Sequence, residues 1–237
     1  MRLDGGGVKI GIIRFPGSNC DEDAFHAVVD QLGEEAVFLW HKDRDLQSCD
    51  VIILPGGFSY GDYLRVGAIA RFSPIMDAVI AHAGRGAPIL GICNGFQIAC
   101  EAGLLPGALL RNASLQFRAM PVTLRVEQTG TRFTSAAREG QLLTMPIAHG
   151  DGRYTDEEDA LNRLEGEGQV VFRYADVAGE PTEDANPAGS MRNIAGVTNT
   201  ARNVVGLMPH PERAVDPLLG SADGLVVFES LLVLAHA

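Results

Sequence analysis

Cys93 stands at the tip of Gly91-Ile92-Cys93-Asn94-Gly95, between an apolar run from Pro88 to Ile92 and a helical pattern through Phe96, Ile98 and Ala99. Strand, sharp turn and helix with a nucleophile at the apex form the thiol counterpart of the G-x-S-x-G elbow. The flanking glycines remove Cβ atoms that would clash with so tight a turn. A helix N-terminus behind the sulfur supplies partial positive charge and free N–H groups, which favour thiolate over thiol. Gln97, four residues on, shares a helix face with Cys93 and can touch a bound substrate. A lone elbow of this kind is as readily a small core cysteine as a catalytic one.

The partner that tips the balance lies near the other end, in Met208-Pro209-His210-Pro211-Glu212-Arg213. The two prolines fix the backbone and hold His210 in an extended segment outside any helix. Residues two apart in such a segment point the same way, so His210 and Glu212 are expected to project together. A catalytic thiol needs a base, and the base needs a carboxylate to fix its tautomer and stabilise the imidazolium. Cys93, His210 and Glu212 fill those three roles. Among six histidines, only His210 has an acid two residues away in so rigid a frame.

The elements that must position these groups follow from the order of apolar runs. The 237 residues suffice for one large α/β domain, 1–237, with Met1 to Gly7 a Gly-rich tail outside the fold. Val8 to Phe15, Ala36 to Trp40, Asp50 to Leu54 and Pro88 to Ile92 read as strands. Helices are expected from Asp21, capped by Ser18 or Asn19 and ending at Gly33, and from Ser73-Pro74 to about Gly84. That alternation predicts a flavodoxin-like, mostly parallel sheet flanked by helices, with its working site beyond the C-terminal strand ends. Beyond Pro106 the chain turns β-rich, with segments at Val122 to Glu127, Gln169 to Tyr174 and Ile194 to Thr198. Asp156 to Glu167 reads as a solvated helix or loop, Gly179 to Ser190 as a loop, and Asp223 to Ala235 as an apolar core helix.

A formal net charge of −11 argues against a nucleic-acid surface and against adhesion to anionic membranes. The four cysteines show no metal-binding spacing, and unpaired thiols fit a reducing compartment, so a cytoplasmic location is expected. No leader sequence and no membrane-spanning stretch is expected either.

The elbow, the Pro55-Gly56-Gly57 turn and the late His-x-Glu pair together resemble the class I glutamine amidotransferases. Within that family, Phe15-Pro16-Gly17-Ser18-Asn19-Cys20-Asp21, the run from Pro55 to Arg65 and Pro146-Ile147-Ala148-His149-Gly150 are similar to the glutaminase subunits (subunit I) of phosphoribosylformylglycinamidine synthases. The similarity runs from about Val8 to the end. It departs at Asp151, where the family carries glutamate, and at Ala188, where it carries asparagine.

The resemblance implies hydrolysis of glutamine to glutamate and ammonia through a thioester on Cys93. It implies an oxyanion hole made by the backbone N–H groups of Asn94 and Gly57, with Gln97 bordering the substrate. No phosphate-binding string is present, so no cofactor and no metal are expected in this chain. ATP and Mg²⁺ would serve a large synthetase subunit that makes formylglycinamidine ribonucleotide in purine biosynthesis, joined by a small bridging subunit. The docking rim is expected around Phe58 to Arg65 and Pro146 to Arg153, with Tyr60, Tyr63, Arg65 and His149 facing the partner. Two rival readings, a stand-alone cysteine hydrolase or chaperone-like protein and a non-catalytic flavodoxin-like module, do not account for the late His-x-Glu pair.

Overall fold

The computed structural model describes residues 7–233, so the tail expected at the N-terminus and the last turn expected at Ala235 lie largely outside the described residues. In chain order the elements are β1 (Lys9–Arg14), α1 (Asp21–His26), β2 (Glu35–Trp40), β3 (Val51–Leu54), α2 (Ile75–Gly84), β4 (Ile89–Ile92) and α3 (Asn94–Glu101). The second half holds β5 (Ala108–Leu110), β6 (Arg118–Val126), β7 (Leu142–His149), β8 (Arg153–Thr155) and α4 (Glu158–Gly166). It ends with β9 (Val170–Ala175), β10 (Ile194–Thr198), β11 (Val204–Leu207) and α5 (Leu225–Val233).

One nine-stranded sheet organises the molecule, in the order β2-β1-β3-β4-β11-β10-β9-β6-β7. From β2 to β11 every neighbouring pair is parallel. The β-rich half extends the same sheet with antiparallel pairs, from β11 through β10, β9 and β6 to β7. The composition explains the division. β3 (VIIL) and β4 (ILGI) are buried throughout, as strands covered on both faces must be. β7 alternates exposed or half-buried with buried residues, as a strand covered on one face does.

Several local expectations change on contact with tertiary structure. Cys20, not Ser18 or Asn19, occupies the cap position of α1, and no side chain caps it. Ser18 Oγ instead accepts from the Phe15 N–H, and Asn19 Oδ1 from the Cys20 thiol. Past His26 the helix widens into a π-turn, Ala27–Leu32, before stopping at left-handed Gly33 as the sequence predicts. The acidic stretch after Asp156 folds as α4 with Leu161 and Leu164 buried, so it carries a core face. β6 begins at Arg118, ahead of the expected Val122. Among the described residues, no helix is long and apolar enough to cross a membrane.

Candidate active site

β4 delivers Cys93 to the C-terminal edge of the parallel half, and α3 leaves from it. Cys93 takes φ 50°, ψ −104°, a conformation costly for a residue with a side chain and held only by its surroundings. Its N–H donates to the Leu207 carbonyl at 2.8 Å, which ties the nucleophile to the end of β11. A Cβ on Gly95 would overlap the Leu54 carbonyl oxygen, so the first turn of α3 lies directly on the end of β3. Asn94 is the first residue of α3, where helix geometry leaves the N–H without an intrahelical acceptor.

β11 leads to His210. His210 is extended (φ −105°, ψ 91°), as its prolines require, but Pro211–Arg213 then closes a 3₁₀ turn, contrary to the expected extended run. The turn brings Glu212 back against the ring, with Oε1 at 2.6 Å from His210 Nδ1. Both side chains are sealed from water, at 1% and 2% exposure. Burial opposes the imidazolium, but the Glu212 carboxylate, and after it the nearby Cys93 and Cys20 sulfurs, raise the His210 pKa well above its ordinary value. Nε2, the ring atom turned away from Glu212, is buried without a partner among the described residues.

The far edge of the sheet closes the site. β7 stands at the opposite edge of the nine-stranded sheet from β2, yet it returns against the elbow. The Pro146 carbonyl accepts the His210 N–H at 2.9 Å, and the Ala148 carbonyl lies 4.0 Å from Cys93 Sγ. Just beyond, the Asp151 carbonyl accepts from Gln97 Nε2 at 2.6 Å. Gln97 Oε1 takes the Asn94 amide at 2.9 Å, so both ends of the Gln97 side chain are engaged inside the protein. Gln97 therefore borders the site as a strut between α3 and the Asp151 loop. Asn94 Oδ1 in turn accepts the Ser59 N–H at 3.2 Å, fastening the loop that follows β3. In that loop Gly57 takes φ +138°, and the ideal Cβ position on Gly56 falls 2.8 Å from His210 Cε1. A side chain there would displace the imidazole ring.

Cys20, Arg213 and His149 join this centre although the sequence reading left them out of it. Arg213 Nη2 lies 3.2 Å from Cys20 Sγ, and its Nε donates to Asp23 at 2.9 Å. Burial raises the Cys20 pKa and keeps it a thiol. Donor atoms of Cys20, His210 and Glu212 fall within 4.8 Å of one another, the one such grouping among the described residues that could hold a metal ion. Of those side chains, His210 Nδ1 and Glu212 Oε1 are joined in the short hydrogen bond, Arg213 approaches the Cys20 sulfur, and His210 Nε2 and Glu212 Oε2 have no partner among the described residues.

His149, expected on the docking rim, is only 3% exposed and belongs to the interior. Asn112 gives its amide to the Gln116 and His149 carbonyls, so its Oδ1 accepts from His149 Nδ1 at 3.1 Å. Burial, then the His210 charge, push the His149 pKa down to about 4. Tyr60 also turns inward, bonded to His41 and Ser73, while Tyr63 is 87% exposed and Arg65 pairs with Glu101. The signal for an inward His149 was the alternation of Leu143, Met145 and Ile147, which puts position 149 on the same face.

Residues 7–223 match the family described as CobB/CobQ-like glutamine amidotransferase domain. The chain is 57% identical over 224 residues to phosphoribosylformylglycinamidine synthase subunit PurQ of Salinibacter ruber, covering 94% of this chain and 95% of that one. It is 59% identical to the protein of the same name from Thermomicrobium roseum, with 95% of each covered. The solved structure of PurLQS from Thermotoga maritima contains a chain with TM-score 0.86 and 44% identity, covering 97% of this chain and 99% of that one.

Proposed function

The chain belongs to the CobB/CobQ-like glutamine amidotransferase family, and on that premise we propose that it is the glutaminase subunit of a phosphoribosylformylglycinamidine synthase, in purine biosynthesis. The observation that carries its chemistry is the sealed His210–Glu212 pair set against a strained cysteine elbow. A buried imidazole with a carboxylate on one nitrogen and a thiol near the other serves acyl transfer.

In this reading Cys93 thiolate attacks the side-chain amide carbon of glutamine. The raised His210 pKa supplies a proton to the departing ammonia, leaving a glutamyl thioester. The neutral ring then takes a proton from water, which attacks the thioester and releases glutamate. The N–H groups of Asn94 and Gly57 receive the developing oxyanion, each worth about 2.7–4 kcal/mol of barrier. Gln97 holds the Asp151 loop against the substrate.

Ammonia then passes to a large synthetase subunit, with a small third subunit completing the complex, as the name PurLQS of the Thermotoga maritima assembly suggests. ATP and Mg²⁺ are used there and not in this chain, and the complex works in the cytoplasm. Tyr63 and Leu64, both well exposed, offer the docking surface in the Phe58 to Arg65 stretch. Docking favours the form in which the Gly57 N–H faces the oxyanion, so the free chain is nearly idle. The test is glutamate release by the purified chain alone and again with the synthetase subunits, nucleotide substrate and ATP. Strong activation is expected; full activity of the isolated chain would contradict it.

A further inference from the structure

The loop that carries Gly57 holds a backbone it would not adopt unaided. Gly57 takes φ +138°, and Tyr60, Gly61 and Asp62 follow in the left-handed region, at φ 56°, 72° and 54°. Two of those three carry side chains, for which that region is costly, so the surroundings must impose the conformation. Backbone donors supply part of the constraint. The Phe58 N–H reaches the Gly17 carbonyl at 2.9 Å, the Tyr60 N–H the Pro16 carbonyl at 2.7 Å, and the Ser59 N–H Asn94 Oδ1 at 3.2 Å.

The Tyr60 side chain ties the same loop to two further elements. Its hydroxyl oxygen lies 2.7 Å from His41 Nδ1 and 2.9 Å from Ser73 Oγ. His41 directly follows β2, Ser73 stands just before α2, and each is only 4% exposed. Both anchors are themselves fixed. The His41 N–H donates to the Arg14 carbonyl at the end of β1 at 3.1 Å, and its carbonyl takes the Ile75 N–H at the start of α2 at 3.3 Å. The Ser73 carbonyl accepts the Met76 N–H at 2.9 Å. Burial, and after it Lys42, lower the His41 pKa, so the ring stays neutral and Nδ1 can accept from the hydroxyl.

Packing alone would not require that oxygen. The Tyr60 ring meets His41 edge-on at 5.6 Å and rests against the core, contacts a phenylalanine would keep. Gathering two hydroxyls and an imidazole out of water is offset only when each finds a partner, and a network so completed makes a rigid fastening. We propose that Tyr60 is a positioning residue: through His41 and Ser73 its hydroxyl holds the Gly57 loop in the conformation whose Gly57 N–H meets the oxyanion. The inference rests on the glutaminase reading and deepens it. Tyr60 touches no reacting atom, and a donor set for the oxyanion acts on the transition state rather than on bound glutamine.

The test is Tyr60→Phe in the assembled complex, with two readouts. The first is kcat and KM for glutamine. The second is the rate at which iodoacetamide alkylates Cys93, a displacement of iodide by the thiolate that forms no oxyanion. The variant is expected to lose kcat by about 10-fold or more, short of the 10²–10³ for losing a donor outright, with KM within about two-fold. Alkylation of Cys93 should stay at the wild-type rate. Ser73→Ala should show a smaller loss of kcat and add nothing to Tyr60→Phe in the double variant, since both cut one fastening. Wild-type kcat in Tyr60→Phe would overturn the proposal. So would kcat and alkylation falling together, because the tyrosine would then support the elbow as a whole. A wild-type complex that releases no glutamate would overturn the glutaminase reading along with it, an outcome distinct from an idle hydroxyl in an active enzyme.

Discussion

Glu212 Oε1 sits 2.6 Å from His210 Nδ1, and neither residue reaches solvent. In the proposed mechanism the carboxylate fixes the tautomer and stabilises the imidazolium, while the ring does the proton transfer. His210→Ala is therefore expected to lower glutaminase kcat in the complex by about 10⁶, and Glu212→Gln by a smaller factor of about 10⁴. Steady-state rates decide the order. A Glu212→Gln enzyme equal to wild type would remove Glu212 from the mechanism.

Gly95→Ala tests the elbow's geometry independently of chemistry. The added methyl would overlap the Leu54 carbonyl, which is backbone and cannot swing aside. The chain is expected to lose about 3 kcal/mol or more in denaturant unfolding. An unchanged midpoint would show that α3 can shift away from β3.

His149 gives the fold an acid-sensitive term. Its pKa falls from 6.5 to about 4 on folding, so the folded state refuses a proton that the unfolded chain accepts. The resulting stability is complete above about pH 6.5 and is lost progressively as pH drops toward 4, by up to about 3 kcal/mol. Replacing the ring, as in His149→Gln, should flatten the dependence of thermal stability on pH within that window. A variant with the wild-type slope would assign the acid lability elsewhere.

The parallel half of the fold was legible because β1, β3 and β4 are short, apolar and set between helices with clear ends. What escaped were β11, the parallel strand that leads to His210, and β7, the strand that closes the site. Pro146 argues against a central strand, but β7 is an edge strand, where a missing N–H costs nothing. Cys93, His210 and Glu212 were readable because local motifs define the elbow and the His-x-Glu spacing. Gln97's double engagement and the inward turn of His149 depend on the sheet curling back on itself. No local pattern in the sequence specifies that curl.

The central claim is that Cys93 serves only to liberate ammonia, while ATP-dependent synthesis lies in another chain. The most direct measurement compares amidine formation by the reconstituted complex, wild type and Cys93→Ala, with glutamine and then with ammonium salts as nitrogen source. The account predicts that Cys93→Ala abolishes synthesis from glutamine and leaves synthesis from ammonium near the wild-type rate. Loss of both activities in a complex that still assembles would contradict it, as would glutamine-dependent synthesis surviving without the thiol.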